Sequence, residues 1–223
     1  MRGPLTLSLI LVASLLVGTS CAQAVVVPAP AVDTPKSSGP MQTAVLAGGC
    51  FWGVQGVYEH LKGVKRVLSG YSGGERSTAQ YQTVGSGRTG HAESVEILYD
   101  PERISYGEIL QVFFSVVADP TELDRQGPDV GNEYRSVIFY KDDTQKNIAT
   151  QYIAQLNKAG VFHAPIVTRV DPLKGFYAAE GYHQDFLQHN PNNPYIVVND
   201  LPKIRDLEHT FPSLYNNKPV TAD

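Results

Sequence analysis

The chain has 223 residues, of which 42% are hydrophobic and 18% are charged, and its formal net charge at pH 7 is −4. This charge balance provides no strongly basic patch of the kind that neutralises phosphates, so we expect no nucleic-acid partner. A length of this order suits one main domain with a sizeable hydrophobic core.

The first 24 residues predict a secretory signal peptide. Arg2 supplies a positive start, residues 5–17 are almost wholly apolar, and Ala22-Gln23-Ala24 offers the small-x-small pattern of a cleavage site. The apolar stretch is shorter than the roughly 20 residues that a membrane-spanning helix needs. We therefore expect an exported protein, periplasmic or secreted.

Cys21 leaves an alternative open, because a cysteine directly after an apolar run can be lipidated and kept as the first mature residue. Gly18, however, stands where a lipoprotein signal usually has leucine, whereas cleavage after Ala24 meets its pattern directly. A lipid anchor through Cys21 is thus the alternative to a cleaved leader. Cleavage would leave Cys50 as a lone cysteine, which raises the question of whether its thiol is reactive.

Residues 25–41 are rich in Pro, Ala, Ser and Gly without periodicity, which is the composition of a flexible linker. We expect one ordered domain over residues 42–207 and a C-terminal tail over residues 208–223. No internal repeat divides the chain further.

The first half of this domain predicts a strand, a helix and two strands. Residues 43–47 form a short apolar run that ends at Gly48-Gly49, which is consistent with a buried strand and a sharp turn. Residues 50–61 repeat apolar side chains at helical spacing up to Gly63. Residues 64–70 and 91–99 indicate strands, the second by its alternation.

The second half begins with a helix start, because Ser105-Tyr106-Gly107-Glu108 is a capping box ahead of an apolar run. A strand over residues 134–140 completes the order strand, helix, strand, strand, helix, strand. This order predicts an α+β fold, a two-layer sandwich with a ferredoxin-like βαββαβ core. Further predicted elements are a helix over 142–158, a strand over 165–170, a last helix over 178–189 and a long irregular region beyond Asn190.

Residues 48–53, Gly-Gly-Cys-Phe-Trp-Gly, place Cys50 at the junction of a strand and a helix. The amides and the dipole at a helix start favour a negative sulfur, so we expect a thiol pKa below its ordinary value of roughly 8.5. Phe51 and Trp52 would set two aromatic side chains beside the sulfur, which suits a small apolar substrate end. The alternative is that Cys50 is a buried structural thiol.

Several motifs occur in order along the chain: Gly-Cys-Phe-Trp-Gly at 49–53, Gly-Tyr-Ser-Gly-Gly at 70–74, Gly-His-Ala-Glu at 90–93, Tyr-Asp-Pro at 99–101, Arg-Gln-Gly-Pro-Asp at 125–129, Tyr-Arg-Ser at 134–136 and Tyr-His-Gln-Asp at 182–185. In this set the chain resembles the A type of peptide methionine sulfoxide reductase over most of residues 43–206. The resemblance implies a thiol-dependent oxidoreductase that returns methionine S-sulfoxide to methionine, in peptides, in proteins and as the free amino acid.

The resemblance also implies roles for individual residues. Cys50 attacks the sulfoxide sulfur, and Glu93 is the acid that protonates the departing oxygen. Glu93 would have to stay protonated near neutral pH, which burial among aromatic residues can achieve. From the strand pattern alone, Glu93 reads as an exposed carboxylate.

Four further residues follow from the same resemblance. Tyr81 and Tyr134 would hydrogen-bond the sulfoxide oxygen. Phe51 and Trp52 would hold the substrate methyl group. Asp129 would have a structural or water-organising part in the pocket, and a turn-capping aspartate is the alternative.

Regeneration is where the chain departs from many relatives, because no cysteine follows Cys50. The sulfenic acid that the reaction leaves on Cys50 must then be reduced by an external thiol such as thioredoxin, glutaredoxin or a small dithiol. We expect no bound cofactor. The expected partners are oxidised proteins and peptides, which are the substrates, and the thiol donor. We expect a monomeric enzyme whose role is to repair exported proteins under oxidative stress.

Two other readings stay open from the residues alone. A cysteine hydrolase or acyltransferase would pair Cys50 with a histidine base such as His91 or His183. A secreted binding module would carry Cys50 as an inert thiol. The scattered histidines lack metal-ligand spacing, so we expect no metal site.

Overall fold

The computed structural model describes residues 25–222, so the predicted leader and Cys21 lie outside the described residues. The strands are β1 (Gln42–Ala47), β2 (Val64–Ser72), β3 (Ala92–Tyr99), β4 (Arg125–Gln126), β5 (Asp129–Val130), β6 (Val137–Tyr140), β7 (Arg169–Pro172) and β8 (Phe176–Ala178). The α-helices are α1 (Phe51–Glu59), α2 (Tyr81–Val84), α3 (Tyr106–Val112), α4 (Asp143–Ala159), α5 (Phe186–His189) and α6 (Leu201–Thr210). No helix within residues 25–222 has the length and apolar character to cross a membrane.

Six strands form one sheet in the order β7-β6-β1-β3-β2-β8. Neighbouring strands are antiparallel except β6 and β7, which are parallel. β4 and β5 form a separate small hairpin. The fold therefore mixes helices and a largely antiparallel sheet in one chain.

The main core lies between the helices and one face of the sheet. Because side chains alternate along a strand, Ala44 and Leu46 of β1 join this core, whereas Val45 and Ala47 face the opposite side. The second side carries a small cluster that is completed by Val137, Phe139 and Ala92. Strand alternation therefore divides the apolar residues of β1 between two layers.

The N-terminal strap, residues 25–40, differs from the flexible linker that its composition predicts. Val27 is buried, its carbonyl accepts a hydrogen bond from Gln111 Nε2 at 3.0 Å, and the Pro28 carbonyl accepts one from Tyr152 Oη at 2.6 Å. Asp33 accepts the Gly107 N–H at 2.7 Å, which satisfies an amide in the first turn of α3. The strap is packed because polar groups on α3 and α4 bind its backbone.

The C-terminal third corrects two expectations. Residues 178–189 do not form one helix, because Phe176–Ala178 pairs with β2 and Asp185 has a φ of 52° that interrupts the helical path. Beyond Asn190 the chain is not irregular, since a π-helical turn, Ile196–Asp200, leads into α6. Pro202 lies in the first turn of α6, where the missing N–H costs no hydrogen bond.

Strand boundaries in the middle of the chain also shift. The strand expected at 134–140 begins only at Val137, after a 3₁₀ turn at Asn132–Tyr134, and the strand expected at 165–170 is β7. The capping box of α3 is present as predicted, with reciprocal bonds between Ser105 and Glu108.

Candidate active site

Cys50 occupies the position directly before the first turn of α1, at the end of a tight connection from β1. Gly49 in this connection has a φ of 96°, and a Cβ there would lie 2.7 Å from Cβ of Gln126. Both facts require glycine, because other residues are strained at this φ and would clash. Cys50 is 9% exposed, so most of its surface is covered by the protein.

Glu93 on β3 lies against the same helix start. Its carboxylate oxygen Oε2 accepts the Phe51 N–H at 3.0 Å, and the side chain is 4% exposed. Burial raises the pKa of Glu93 to about 8, against the opposing effect of the Phe51 hydrogen bond, and the charges of Asp129 and Glu133 add to the rise. Glu93 therefore holds a proton at neutral pH next to Cys50, as its expected role requires.

The pKa of the Cys50 thiol contradicts the prediction from the helix dipole. Burial raises this pKa well above its ordinary value, and the negative charges of Glu93 and Asp200 raise it further. The Trp52 backbone N–H lowers it, but by less than burial raises it. Cys50 therefore rests as a neutral thiol, because loss of hydration outweighs the field of a nine-residue helix.

Aromatic side chains surround the first turn of α1. Trp52 stacks on Phe186 with ring centroids 3.8 Å apart, and its indole Nε1–H donates to Nδ1 of His183 at 3.1 Å. The ring of Tyr195 meets Trp52 edge-on, with centroids 6.0 Å apart. Phe51 is buried with its ring centroid 5.0 Å from that of His183. Trp52 is thus fixed in one orientation beside the thiol.

Tyr81 and Tyr134 are half-buried on the Glu93 side of the site. Burial raises the pKa of both phenols, and the charges of Glu93 and Cys50 raise it further. The backbone of Tyr81 is held by Glu180, whose Oε1 accepts the Tyr81 N–H at 3.0 Å. Two neutral hydroxyl donors therefore share the electrostatic environment of Cys50 and Glu93.

Asp129 lies on the short hairpin β4–β5, and it accepts a hydrogen bond from the hydroxyl of Tyr195. Tyr195 comes from the region that sequence analysis expected to be irregular. This bond joins the hairpin to the C-terminal helices across the site.

Asp200 is a second buried carboxylate close to α1. It is 0% exposed, and neither carboxylate oxygen has a hydrogen-bond partner. A Cβ on Gly53 would lie 2.1 Å from Asp200 Oδ1, so glycine at position 53 makes room for this carboxylate. Burial raises the pKa of Asp200 to about 6, which the ammonium of Lys203, 3.9 Å from Oδ1, opposes.

Comparison with known proteins decides the family. A family model described as peptide methionine sulfoxide reductase matches residues 42–214. The chain is 60% identical over 185 residues to peptide methionine sulfoxide reductase MsrA 2 of Mesorhizobium japonicum, with 83% of this chain and 95% of that protein covered. A Synechocystis protein of the same name is 50% identical over 189 residues, with 83% and 88% covered.

The chain belongs to the peptide methionine sulfoxide reductase family. Solved structures agree with this assignment. Reduced Mxr1 from Saccharomyces cerevisiae superposes with a TM-score of 0.61 at 32% identity, covering 71% of this chain and 91% of Mxr1. Methionine sulfoxide reductase A of Corynebacterium diphtheriae gives 0.60 at 31% identity, covering 72% and 80%.

Within this peptide methionine sulfoxide reductase, the two histidines proposed as hydrolase bases are engaged elsewhere. Nδ1 of His91 bonds the Gly74 N–H at 3.2 Å and its Nε2 contacts the Glu75 carbonyl at 3.1 Å. His183 faces Trp52 rather than the thiol, and it lies in a 3₁₀ turn rather than on a last helix. These contacts hold Nδ1 of His183 and both ring nitrogens of His91 away from the role of a general base on Cys50.

The residues singled out from the sequence are neighbours in the structure. Phe51 N–H binds Glu93, Trp52 follows Phe51 in α1, and the charges of Glu93, Asp129 and Cys50 act on Tyr81 and Tyr134. Sequence reasoning missed Tyr195 and Asp200. Neither residue lies in a motif that was recognised in the sequence. The many Pro and Asn residues around them led to the expectation of an irregular loop. A signal was present in Asp200-Leu201-Pro202, where an acidic residue stands two positions before a proline, as is common at a helix start.

Proposed function

We propose that this protein reduces the S epimer of methionine sulfoxide to methionine in peptides and proteins, and as the free amino acid. The single observation that supports this most strongly is the pairing of a thiol with a buried, protonated carboxyl at the start of α1. The family membership gives the pair its reaction. Selectivity for the S epimer rests on the family alone.

In the first half-reaction Cys50 Sγ attacks the sulfoxide sulfur and the sulfur–oxygen bond breaks. Glu93 gives its proton to the departing oxygen, since that oxygen cannot leave as a dianion near neutral pH. The proton of the thiol then restores Glu93. The S–O cleavage leaves Cys50 bonded to the methionine sulfur, and the released hydroxide, or a water in its place, attacks Cys50 Sγ. The new sulfur–sulfur bond then breaks with its electron pair on methionine, which is released, and Cys50 becomes a sulfenic acid, so that the net change is transfer of one oxygen.

Tyr81 and Tyr134 would donate hydrogen bonds to the oxygen while charge develops on it. Their pKa values are raised by burial and by the charges of Glu93 and Cys50, so both phenols keep the proton that such a bond requires. Phe51 and Trp52 would hold the substrate methyl group, for which the fixed orientation of Trp52 on Phe186 is suited. Asp129, bound by Tyr195, would hold the hairpin over the site.

The second half-reaction would use an external thiol. The sulfenic acid of Cys50 reacts with one thiol to give a mixed disulfide and water, and a second thiol releases Cys50 as its thiol. Thioredoxin, glutaredoxin or a small dithiol can supply both. The sequence supports this cycle because Cys50 is followed by no other cysteine.

Three broader proposals accompany the reaction. The first 24 residues would direct export to the periplasm or outside the cell, and a lipid anchor on Cys21 is the alternative. The exported protein would act as a monomer, and its role would be to repair oxidised exported proteins. Residues 42–207 would be the reductase domain. The order β6-β1-β3-β2 supports a ferredoxin-like βαββαβ core in a two-layer sandwich.

The test is a single turnover without added reductant. Purified protein is mixed with a peptide that carries S- or R-methionine sulfoxide, and both partners are weighed by mass spectrometry. We expect one equivalent of methionine from the S epimer, one added oxygen on Cys50, and no reaction of Cys50→Ser. No methionine from either epimer would refute the proposed function.

A further inference from the structure

A cavity of about 810 Å³ opens at Cys50 on the side of the β4–β5 hairpin and α6. Its walls include Asp129 and Tyr195, whereas Glu93, Tyr81 and Tyr134 do not line it. The cavity is therefore a separate direction of approach to the sulfur. A volume of this size suits a short peptide or a ligand of similar bulk.

The shape of a sulfoxide shows what the cavity would receive. The sulfur of methionine sulfoxide carries an oxygen, a methyl group and a methylene that leads to the peptide backbone. With the oxygen at Glu93 and the methyl group at Trp52, the methylene must leave Cys50 by the side that remains open. That side is the cavity, so the backbone of the substrate and its neighbouring residues extend into it.

The charges in the cavity are predominantly negative. Its ionisable lining consists of Asp119, Glu122, Asp129, Asp206, His163 and Lys203. The single ammonium, Lys203, already faces the buried carboxylate of Asp200 at 3.9 Å, and Glu122 is bound by the guanidinium of Arg125 at 3.2 Å. Arg205 and His209 lie near Asp206. The four acidic residues of the lining together with Asp200 still outnumber the three permanent cations beside them, Lys203, Arg125 and Arg205.

We propose that this cavity is the subsite for the peptide that carries the oxidised methionine, and that it prefers substrates with Lys or Arg beside that methionine over substrates with Asp or Glu there. This inference rests on the proposed function, because it extends the substrate from the sulfoxide at Cys50. Opposite charges attract across the partly open cavity, and like charges repel.

The test uses three otherwise identical five-residue peptides with methionine S-sulfoxide in the centre and Lys, Gln or Glu on both sides. The measured quantity is kcat/KM with saturating dithiothreitol, which is uncharged, and free methionine S-sulfoxide is measured alongside. We expect the order Lys, Gln, Glu, with about a tenfold span, the size that several exposed charge contacts supply together. Salt at about 0.5 M should compress the span, since it screens such contacts.

Two variants separate the cavity from the overall charge of the protein. Asp206→Asn combined with Glu122→Gln should reduce the span between the Lys and Glu peptides by several-fold. Glu102→Gln removes an equal kind of charge from an exposed turn that does not line the cavity, and it should leave the span unchanged. The ratio of two peptides on one variant is insensitive to how much of that variant folds.

Equal rates for the three peptides, with free methionine sulfoxide still reduced, would overturn the inference and leave the proposed function standing. A span that persists in the double variant would overturn it as well. If the peptides react equally but the rate depends on the charge of the reducing thiol, the cavity serves the thiol instead. Failure to reduce any sulfoxide would refute the proposed function itself.

Discussion

In the proposed mechanism Glu93 would set the pH range of the first half-reaction, because it would have to carry a proton when the substrate oxygen departs. Burial raises its pKa to about 8, so the protonated fraction falls as pH rises through that value. We expect the single-turnover rate with peptide methionine S-sulfoxide to decline above about pH 8. The rate is measured by rapid-quench experiments in buffers between pH 6 and pH 10.

The matched variant is Glu93→Gln, which keeps the size of the side chain and its acceptor for the Phe51 N–H. It removes the acid, so the rate should fall by about 10²- to 10⁴-fold and the decline near pH 8 should disappear. A variant that keeps the alkaline decline would assign that ionisation to another group.

Asp200 works against thiolate formation, since it adds a negative charge near Cys50 and makes no hydrogen bond that offsets it. In Asp200→Asn we expect the pKa of Cys50 to fall, while Glu93 and Asp129 continue to raise it. Alkylation by iodoacetamide at pH 8 should accelerate by a few-fold, and its pH profile should move to lower pH.

Glu208→Gln is the control for this experiment, because Glu208 lies on α6, which directly follows Asp200, but is exposed. It should alkylate like the unchanged protein. A pH profile that stays in place in Asp200→Asn would show that the two groups do not interact. If the substitution only loosened the fold, alkylation would be faster at every pH, but its pH profile would not move to lower pH.

Among the elements, α1 joins the site to a buried carboxyl pair at its other end. Glu59 is 0% exposed, and its Oε2 accepts a hydrogen bond from Gln188 Nε2 at 2.7 Å. Burial raises the pKa of Glu59 to about 9, and the neighbouring Asp185 raises it further. The last residue of α1 therefore carries a buried carboxyl group that is neutral at pH 7.

This raised pKa makes stability depend on pH with a definite sign. The native protein binds more protons than the unfolded chain between the ordinary pKa of a glutamate, 4.5, and about 9. Stability must then fall as pH rises through that interval. In Glu59→Gln we expect the free energy of unfolding, from urea titrations at pH 5 and pH 9, to fall by roughly 5 kcal/mol less, since each pH unit is worth about 1.4 kcal/mol for one proton. An identical fall in both proteins would contradict it.

The elements also show how far sequence can predict this fold. β1, α1, β2, β3, α3 and α4 follow from periodicity, capping and glycine stops, and they bring Cys50 and Glu93 together. The errors fall on short elements such as β8, whose three residues are held by pairing with β2 rather than by local preference. No local pattern specifies a partner that lies about a hundred residues away.

The same limit applies to the site. Motif resemblance found the residues that lie close to Cys50 along the chain or in family segments. The raised pKa of Cys50 was missed, because it depends on burial by the whole molecule rather than on the start of α1. Tyr195 and Asp200 were missed because the π-helical turn Ile196–Asp200 and the residue before it reach the site from the far end of the chain.

For the whole molecule, the N-terminal strap adds a contact that composition does not reveal. Asp33 accepts the Gly107 N–H at 2.7 Å and the Ser105 hydroxyl at the start of α3. In Asp33→Ala we expect a loss of about 1 to 2 kcal/mol of unfolding free energy in urea titrations, the usual cost of such a cap. Val32→Ala, at the neighbouring position, should cost less, because the valine side chain accepts no hydrogen bond. Equal losses would mean that Asp33 contributes no cap.

The stacking of Trp52 on Phe186 has an optical consequence. Trp52 is the one tryptophan of the chain, so the whole indole emission of the protein comes from a ring two residues from the reacting sulfur. Oxidation of that sulfur, arrival of a sulfoxide and departure of a thiol each change the polarity and quenching that this ring experiences. The enzyme therefore carries its own fluorophore, and a stopped-flow trace without any label reads each stage of the cycle as it happens.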